Sequence, residues 1–226
     1  MAQKTTARKK TATRKAAPGK PAPRKAAPKK PFLTDVTELR RRARTHMESG
    51  NVTSTYEGNA QQTIEILQSV LATEIVCVLR YTMHAIAATG ISSEGVKAEF
   101  AEHAKDEQEH AEAVAERINQ LGGVPNFDPE GITSRAFSSF KSGHTLADLL
   151  REDLVAERVV IKIYSDVVTF FGSADPVSRR LFEELLQDEE DHADDIADLL
   201  YTVDPESGKV VEQFSGDSTI RAKRGS

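Results

Sequence analysis

Between residues 59 and 202, apolar side chains recur at alternating spacings of three and four in four separate runs, and each run holds a glutamate in a position that the pattern reserves for the interior. That period belongs to an α-helix with one buried face. The runs predict helices over about 59–90, 94–121, 145–171 and 176–202, separated by Gly90 to Ser93, Gly122 to Thr145 and Gly172 to Pro176. The middle connection is much the longest, which suits a crossover along the side of a four-helix bundle. No segment reads as strand.

The interior stripe of the first helix is Leu67, Val70, Glu74, Cys77, Tyr81, His84 and Ala88; that of the third is Leu150, Leu154, Glu157, Ile161, Tyr164, Val168 and Phe171. The second carries Phe100, His103, Glu107, His110 and Val114, and the fourth Phe182, Leu185, Glu189, His192, Ile196 and Leu199. A buried carboxylate without a partner costs several kcal/mol or takes up a proton, so four of them converging demand compensation. Cations supply it. Glu and His three apart project from one helical face, and four carboxylates with two imidazoles form a donor set suited to iron or manganese.

The pattern also repeats. Glu74 to Glu107 is 33 residues and Glu157 to Glu189 is 32, while Tyr81 and Tyr164 each follow their glutamate by seven. One E-x-x-H on a charged helix is an ordinary solvated face; two, each with a matching glutamate one helix earlier, match the arrangement of carboxylate-bridged two-metal bundles. The expected ligands are Glu74, Glu107, His110, Glu157, Glu189 and His192, with Tyr81 and Tyr164 beside them.

Composition divides the rest of the chain. Residues 1–34 contain Lys4, Arg8, Lys9, Lys10, Arg14, Lys15, Lys20, Arg24, Lys25, Lys29 and Lys30 and no acid; subtracting these eleven charges from the formal −5 leaves −16 on the remainder. A Lys/Pro/Ala-rich tail without large apolar residues is expected to be disordered and to bind the phosphate backbone of DNA without sequence preference. Pro18, Pro21, Pro23, Pro28 and Pro31 exclude an amphipathic transit helix. Residues 35–58 are expected to form a short accessory helix, capped by Thr34 or Asp35 and running to about Met47, and a linker. Residues 203–226, with Pro205, Gly208 and Gly216, read as an irregular extension. A single cysteine excludes an internal disulfide and fits a reducing compartment. No apolar run reaches the length of a membrane span, so no membrane partner is expected.

At "ATEIVCVLRY", "HAKDEQEHAEAVAERINQLGGVPN", "LVAERVVIKIY" and "LLQDEEDHADDI" the sequence resembles the bacterioferritins of the ferritin-like superfamily. The resemblance spans about 60–200. It implies a ferroxidase that oxidises Fe(II) with dioxygen or hydrogen peroxide and stores Fe(III) in a hollow homo-oligomer. It implies that Glu107 and Glu189 bridge two irons, that Glu74, Glu157, His110 and His192 are terminal ligands, and that Tyr81 lies beside them. Two departures narrow it. Gln108 stands where haem-binding members place methionine, so haem is not expected. The polar C-terminus replaces the fifth helix of the 24-subunit cages, which favours a Dps-like 12-mer slightly over a 24-mer.

With the basic tail, the protein is expected to be cytoplasmic and nucleoid-associated. Cys77 is read as packing. His84 and His103 stay open between hydrogen-bonded core histidines and groups that bind or pass metal; Glu102 and Asp106 stay open between mineral-nucleating and ordinary solvated acids. Two rival functions are an architectural DNA-binding protein with a structural metal site, and another di-metal peroxidase or catalase on the same bundle. The missing paired C-x-x-C module argues against the usual rubrerythrin arrangement.

Overall fold

The computed structural model describes residues 35–45, 47, 50, 52, 56–90 and 93–205. The eleven cationic residues from Lys4 to Lys30 therefore lie outside the described residues, as does most of the C-terminal extension. Among the described residues six α-helices follow in order: α1 (Val36–Arg42), α2 (Ala60–Ala87), α3 (Ser93–Gln120), α4 (Ile132–Arg135), α5 (Leu146–Phe171) and α6 (Pro176–Val203). No strand occurs among the described residues.

Three of the long helices, α2, α5 and α6, start on a side chain that satisfies free N–H groups of the first turn. Asn59 accepts from the Gln62 amide at the head of α2. Thr145 and Asp148 form a capping box on α5. Asp175 caps α6, with Pro176 in the first turn, where no N–H partner is needed. The end of α3 is a Schellman turn: Gly122 N–H donates to Asn119 O and Gly123 N–H to Ile118 O, both at 2.9 Å. Gly122 sits there at φ 84°, a conformation that costs an L-residue roughly 1 kcal/mol or more. A Cβ on Gly123 would lie 2.9 Å from Ile118 Cγ2.

The four long helices form an antiparallel ring, with α2 between α3 and α5, and α6 opposite α2. Tyr81 on α2 meets Glu157 on α5, while Tyr164 on α5 meets Glu74 on α2, so the two helices run in opposite directions. Two apolar clusters fill the ends of the bundle. One contains Leu67, Val70, Val114, Ile118, Phe171 and Phe182; the other contains Ala88, Val96, Phe100, Leu150, Ile196 and Leu200. Each fully buried large side chain stabilises the fold by about 1.5–3 kcal/mol, and the glutamate layer lies between these clusters.

By length and composition α2 would also suit a membrane span, but it carries Glu74 and Arg80 and packs them inside the bundle. The crossover from 121 to 145 lies along α2. Gln68 holds it by donating to Val124 O and accepting from the Asn126 amide, and Thr73 accepts from the Phe137 amide. The short α4 inside it seats Ile132 on Ala72 and Val76.

The structure corrects three expectations. The accessory helix α1 ends at Arg42, not near Met47, and buries none of its residues. The crossover contains a helix whose four residues are too few to show a period. The α5 stripe is rotated: Asp153, Val160 and Val167 are buried, whereas Leu154, Ile161 and Val168 lie at its margin. Leu200 likewise replaces Leu199 inside α6.

Candidate metal centre

Glu74, Glu107, Glu157 and Glu189 are fully buried, and His110 and His192 are 5% exposed. The bundle brings them into two overlapping groups, Glu74–Glu107–His110–Glu189 and Glu107–Glu157–Glu189–His192, each with one donor atom per residue within 4.8 Å of the others. Glu107 and Glu189 belong to both groups, so two cations, one in each group, would share these two carboxylates.

The halves serve each other. Tyr81 donates to Glu157 Oε1 and Tyr164 donates to Glu74 Oε1, so each tyrosine fixes a glutamate of the opposite half. His110 Nδ1 faces Glu107 Oε2 and Glu189 Oε1, both at 3.5 Å, while its Nε2 meets Asp188 Oδ2 at 3.3 Å. His192 Nδ1 lies 3.7 Å from Glu189 Oε2, and its Nε2 lies 3.6 Å from Asp106 Oδ2. An outer carboxylate on the far nitrogen orients an imidazole and raises its basicity as a ligand.

The inner atoms of the layer lack hydrogen bonds. Glu74 Oε2, Glu157 Oε2, both oxygens of Glu107 and of Glu189, and Nδ1 of His110 and of His192 are buried without a hydrogen-bond partner. Buried polar atoms are normally paired. Glu74 and Glu157 thus each have one oxygen held by a tyrosine and one free, Glu107 and Glu189 each have two free, and each histidine has one free nitrogen.

Without cations the layer resolves its charge by moving protons. Burial, with Glu107 beside it, pushes the Glu74 carboxyl well above the usual carboxylate range, and burial with Glu189 does the same to Glu157. Burial opposes the His110 cation, yet Glu107 and Glu189 outweigh it and raise His110 to about 11. His192 rises for the same reasons, against its burial. Burial also opposes ionisation of Glu189, but His110 and His192 overrule it and hold it well below the usual range.

A second buried network touches one half only. Arg80, fully buried, pairs with Asp153 Oδ1 at 2.9 Å, lies 3.8 Å from Glu157 Oε1, and donates to Ser138 Oγ at 3.0 Å and Cys77 Sγ at 3.4 Å. His84 Nδ1 meets the other Asp153 oxygen at 2.6 Å, and its Nε2 meets Lys141 O at 3.1 Å. His84 is thus a fully partnered core histidine. Cys77 belongs to none of the donor groups, and burial pushes its thiol well up. The equivalent positions in the other half are Val160 for Cys77 and Ile163 for Arg80.

Sequence reading passed over Arg80, Asp153 and Asp188. A signal existed for each: Arg80 is a charge inside the most apolar run, Asp153 precedes Glu157 by one helical turn, and Asp188 precedes Glu189 as Asp106 precedes Glu107.

The family profile described as a ferritin-like domain matches residues 64–204. A bacterioferritin from Mycobacterium avium is 28% identical over 148 residues, covering 63% of this chain and 86% of that protein. A DNA protection during starvation protein from Pyrococcus furiosus is 26% identical over 137 residues, covering 59% and 74%. Among solved structures, the dodecameric thioferritin of Bacteroides fragilis, described as a bacterioferritin-related protein, superposes with a TM-score of 0.62 at 28% identity, covering 69% of this chain and 92% of that one.

Proposed function

The chain belongs to the ferritin-like domain family, and on that premise we propose that it is a ferroxidase, which binds two Fe(II) ions between Glu74, Glu107, His110, Glu157, Glu189 and His192 and oxidises them together. The supporting observation is the set of eight buried donor atoms left without hydrogen bonds, one on each terminal glutamate and each histidine and two on each shared glutamate. Four carboxylates also carry four negative charges, equal to the charge of two ferrous ions. Iron is the substrate, and oxygen and nitrogen donors of this kind accept it; manganese fits the same set.

Each iron gives up one electron. With dioxygen the balance is two Fe(II), one O2 and two protons to two Fe(III) and one H2O2; with peroxide as oxidant, two Fe(II), one H2O2 and two protons give two Fe(III) and two waters. The chain's own contribution is to hold the two ions adjacent and to keep donors oriented through Tyr81, Tyr164, Asp106 and Asp188, so that little reorganisation accompanies the change in charge. Oxidation adds two positive charges to the layer, and the acids above the histidines draw the product outward.

The functional unit is a hollow homo-oligomer that stores the Fe(III), with twelve copies favoured over twenty-four. Support comes from the dodecameric relative and from Leu79, Ile86, Phe127, Phe137 and Phe140, which are 41–76% exposed on α2 and the crossover and form an apolar face that a second copy would cover. The N-terminal cationic segment adds nonspecific DNA binding, which places the assembly on the nucleoid in the cytoplasm. Aerobic Fe(II) oxidation, followed by the near-ultraviolet absorbance of Fe(III), tests the activity. Glu107→Ala and Glu189→Ala should each abolish the fast oxidation; wild-type rates in both would reject the assignment.

A further inference from the structure

The two metal groups do not use His103. It is 1% exposed, and neither of its ring nitrogens has a hydrogen-bond partner. A buried imidazole with two unpartnered nitrogens is as anomalous as the free oxygens of the glutamate layer. Its Nε2 lies 3.3 Å from Glu99 Oε1 one turn earlier on α3. Asp195, from α6, completes a group in which Glu99, His103 and Asp195 offer donor atoms all within 4.8 Å of one another. Burial, with the Asp195 and Glu102 charges nearby, raises the Glu99 carboxyl, as expected for carboxylates that stand close together.

The surroundings give this group a direction. A cleft of about 330 Å³ is lined by Glu99, Glu102, Asp106, Asp188, Asp191 and Asp195, with His103, His110 and His192 among its other walls. His103 stacks on His192 with ring centroids 4.0 Å apart. It therefore stands between the solvent-facing acids and the Glu107–Glu157–Glu189–His192 half. The position equivalent to His103 in the other half is Leu185, so the feature is one-sided.

We propose that Glu99, His103 and Asp195 form a third divalent-cation site, which passes ferrous iron between the acidic cleft and the paired-metal centre. Nitrogen from a neutral imidazole with two carboxylate oxygens is a donor set for Fe(II), Mn(II) or Zn(II). Because Asp195 is exposed, water fills the remaining positions, and the site exchanges its ion more readily than the closed layer beneath. The binding claim stands alone; the transfer role rests on the ferroxidase reading.

Crystals of the full-length assembly soaked in Zn(II), a redox-inert probe, and measured at the zinc absorption edge provide the test. Three peaks per chain are expected, the third at about 2.0–2.2 Å from a His103 nitrogen and a carboxylate oxygen. The third should vanish in Asp195→Asn, a surface change that leaves packing intact, and in His103→Leu, while the paired peaks persist. Two paired peaks with nothing beside His103 overturn the proposal, as does a cleft peak that survives His103→Leu. A third peak without the paired ones sustains this site and rejects the ferroxidase reading. For transfer, Asp195→Asn should oxidise Fe(II) added to the iron-free assembly several-fold more slowly than wild type and reach the same final amount; an equal rate overturns that role.

Discussion

Replacing Arg80 with methionine removes a buried guanidinium and leaves Asp153, also fully buried, with a hydrogen bond to His84 in place of its ion pair. Breaking a buried ion pair from one side costs about 3–5 kcal/mol, because the surviving charge is stranded. His84 at 2.6 Å still answers one Asp153 oxygen, so the expected loss is near the lower end, about 3 kcal/mol. Asp153→Leu should cost a similar amount by stranding Arg80. Replacing both partners with apolar groups of similar volume removes the stranded charge, so the double variant should be much less unstable than the sum, with a coupling of about 2 kcal/mol. Thermal unfolding of the metal-free assembly, monitored by circular dichroism at equal protomer concentration, reads this out; at about 2–4 °C per kcal/mol, each single variant should melt roughly 6–12 °C lower. Single effects that simply add would refute the view that Arg80 and Asp153 act as one unit beside Glu157.

Three further outcomes follow from the geometry. Tyr81→Phe and Tyr164→Phe each remove the hydrogen bond that Glu157 or Glu74 receives from a tyrosine, so each should lower stability by about 1–3 kcal/mol and slow Fe(II) oxidation while leaving metal stoichiometry intact; unchanged kinetics in both would contradict their positioning role. His110 held at about 11 and the raised Glu74 and Glu157 mean that the empty layer carries protons at neutral pH, which metal must displace. Loading should therefore release protons and weaken as pH falls from 8 to 6, and titration calorimetry in buffers of different ionisation enthalpy should give different heats; identical heats would contradict it. Deleting residues 1–31 should abolish DNA retardation in a gel and spare iron oxidation; if about ten of the eleven charges contact phosphates, the full-length protein should show a log–log salt slope near −9 per tail, and DNA binding by the truncated protein would reject the tail as the DNA contact.

What the sequence made legible was whatever a single helix determines. The 3-4 period placed the α2 and α3 faces, and the α6 face up to Ile196, because their polar slots, Glu74, Glu107 and Glu189, stand out against apolar neighbours on both sides. In α5 adjacent pairs such as Asp153–Leu154 and Val160–Ile161 support two stripes one residue apart, and hydropathy favours the wrong one. Asp153 looks like a surface acid until Arg80, from another helix, is seen to pair with it and His84 to hydrogen-bond it. The same limit hid which tyrosine serves which glutamate. Spacing ties Tyr81 to Glu74 along α2, but the antiparallel packing of α2 on α5 carries its hydroxyl to Glu157. His103 stayed ambiguous because only the absence of hydrogen-bond partners distinguishes a waiting donor from a core histidine.

Rapid mixing of dioxygen with protein preloaded anaerobically with increasing Fe(II) addresses the paired site itself. The fast phase should grow to two irons oxidised per chain and then stop, and it should disappear in Glu189→Ala. A break at one iron per chain, or a fast phase that survives the loss of a shared glutamate, would contradict a paired centre in this bundle.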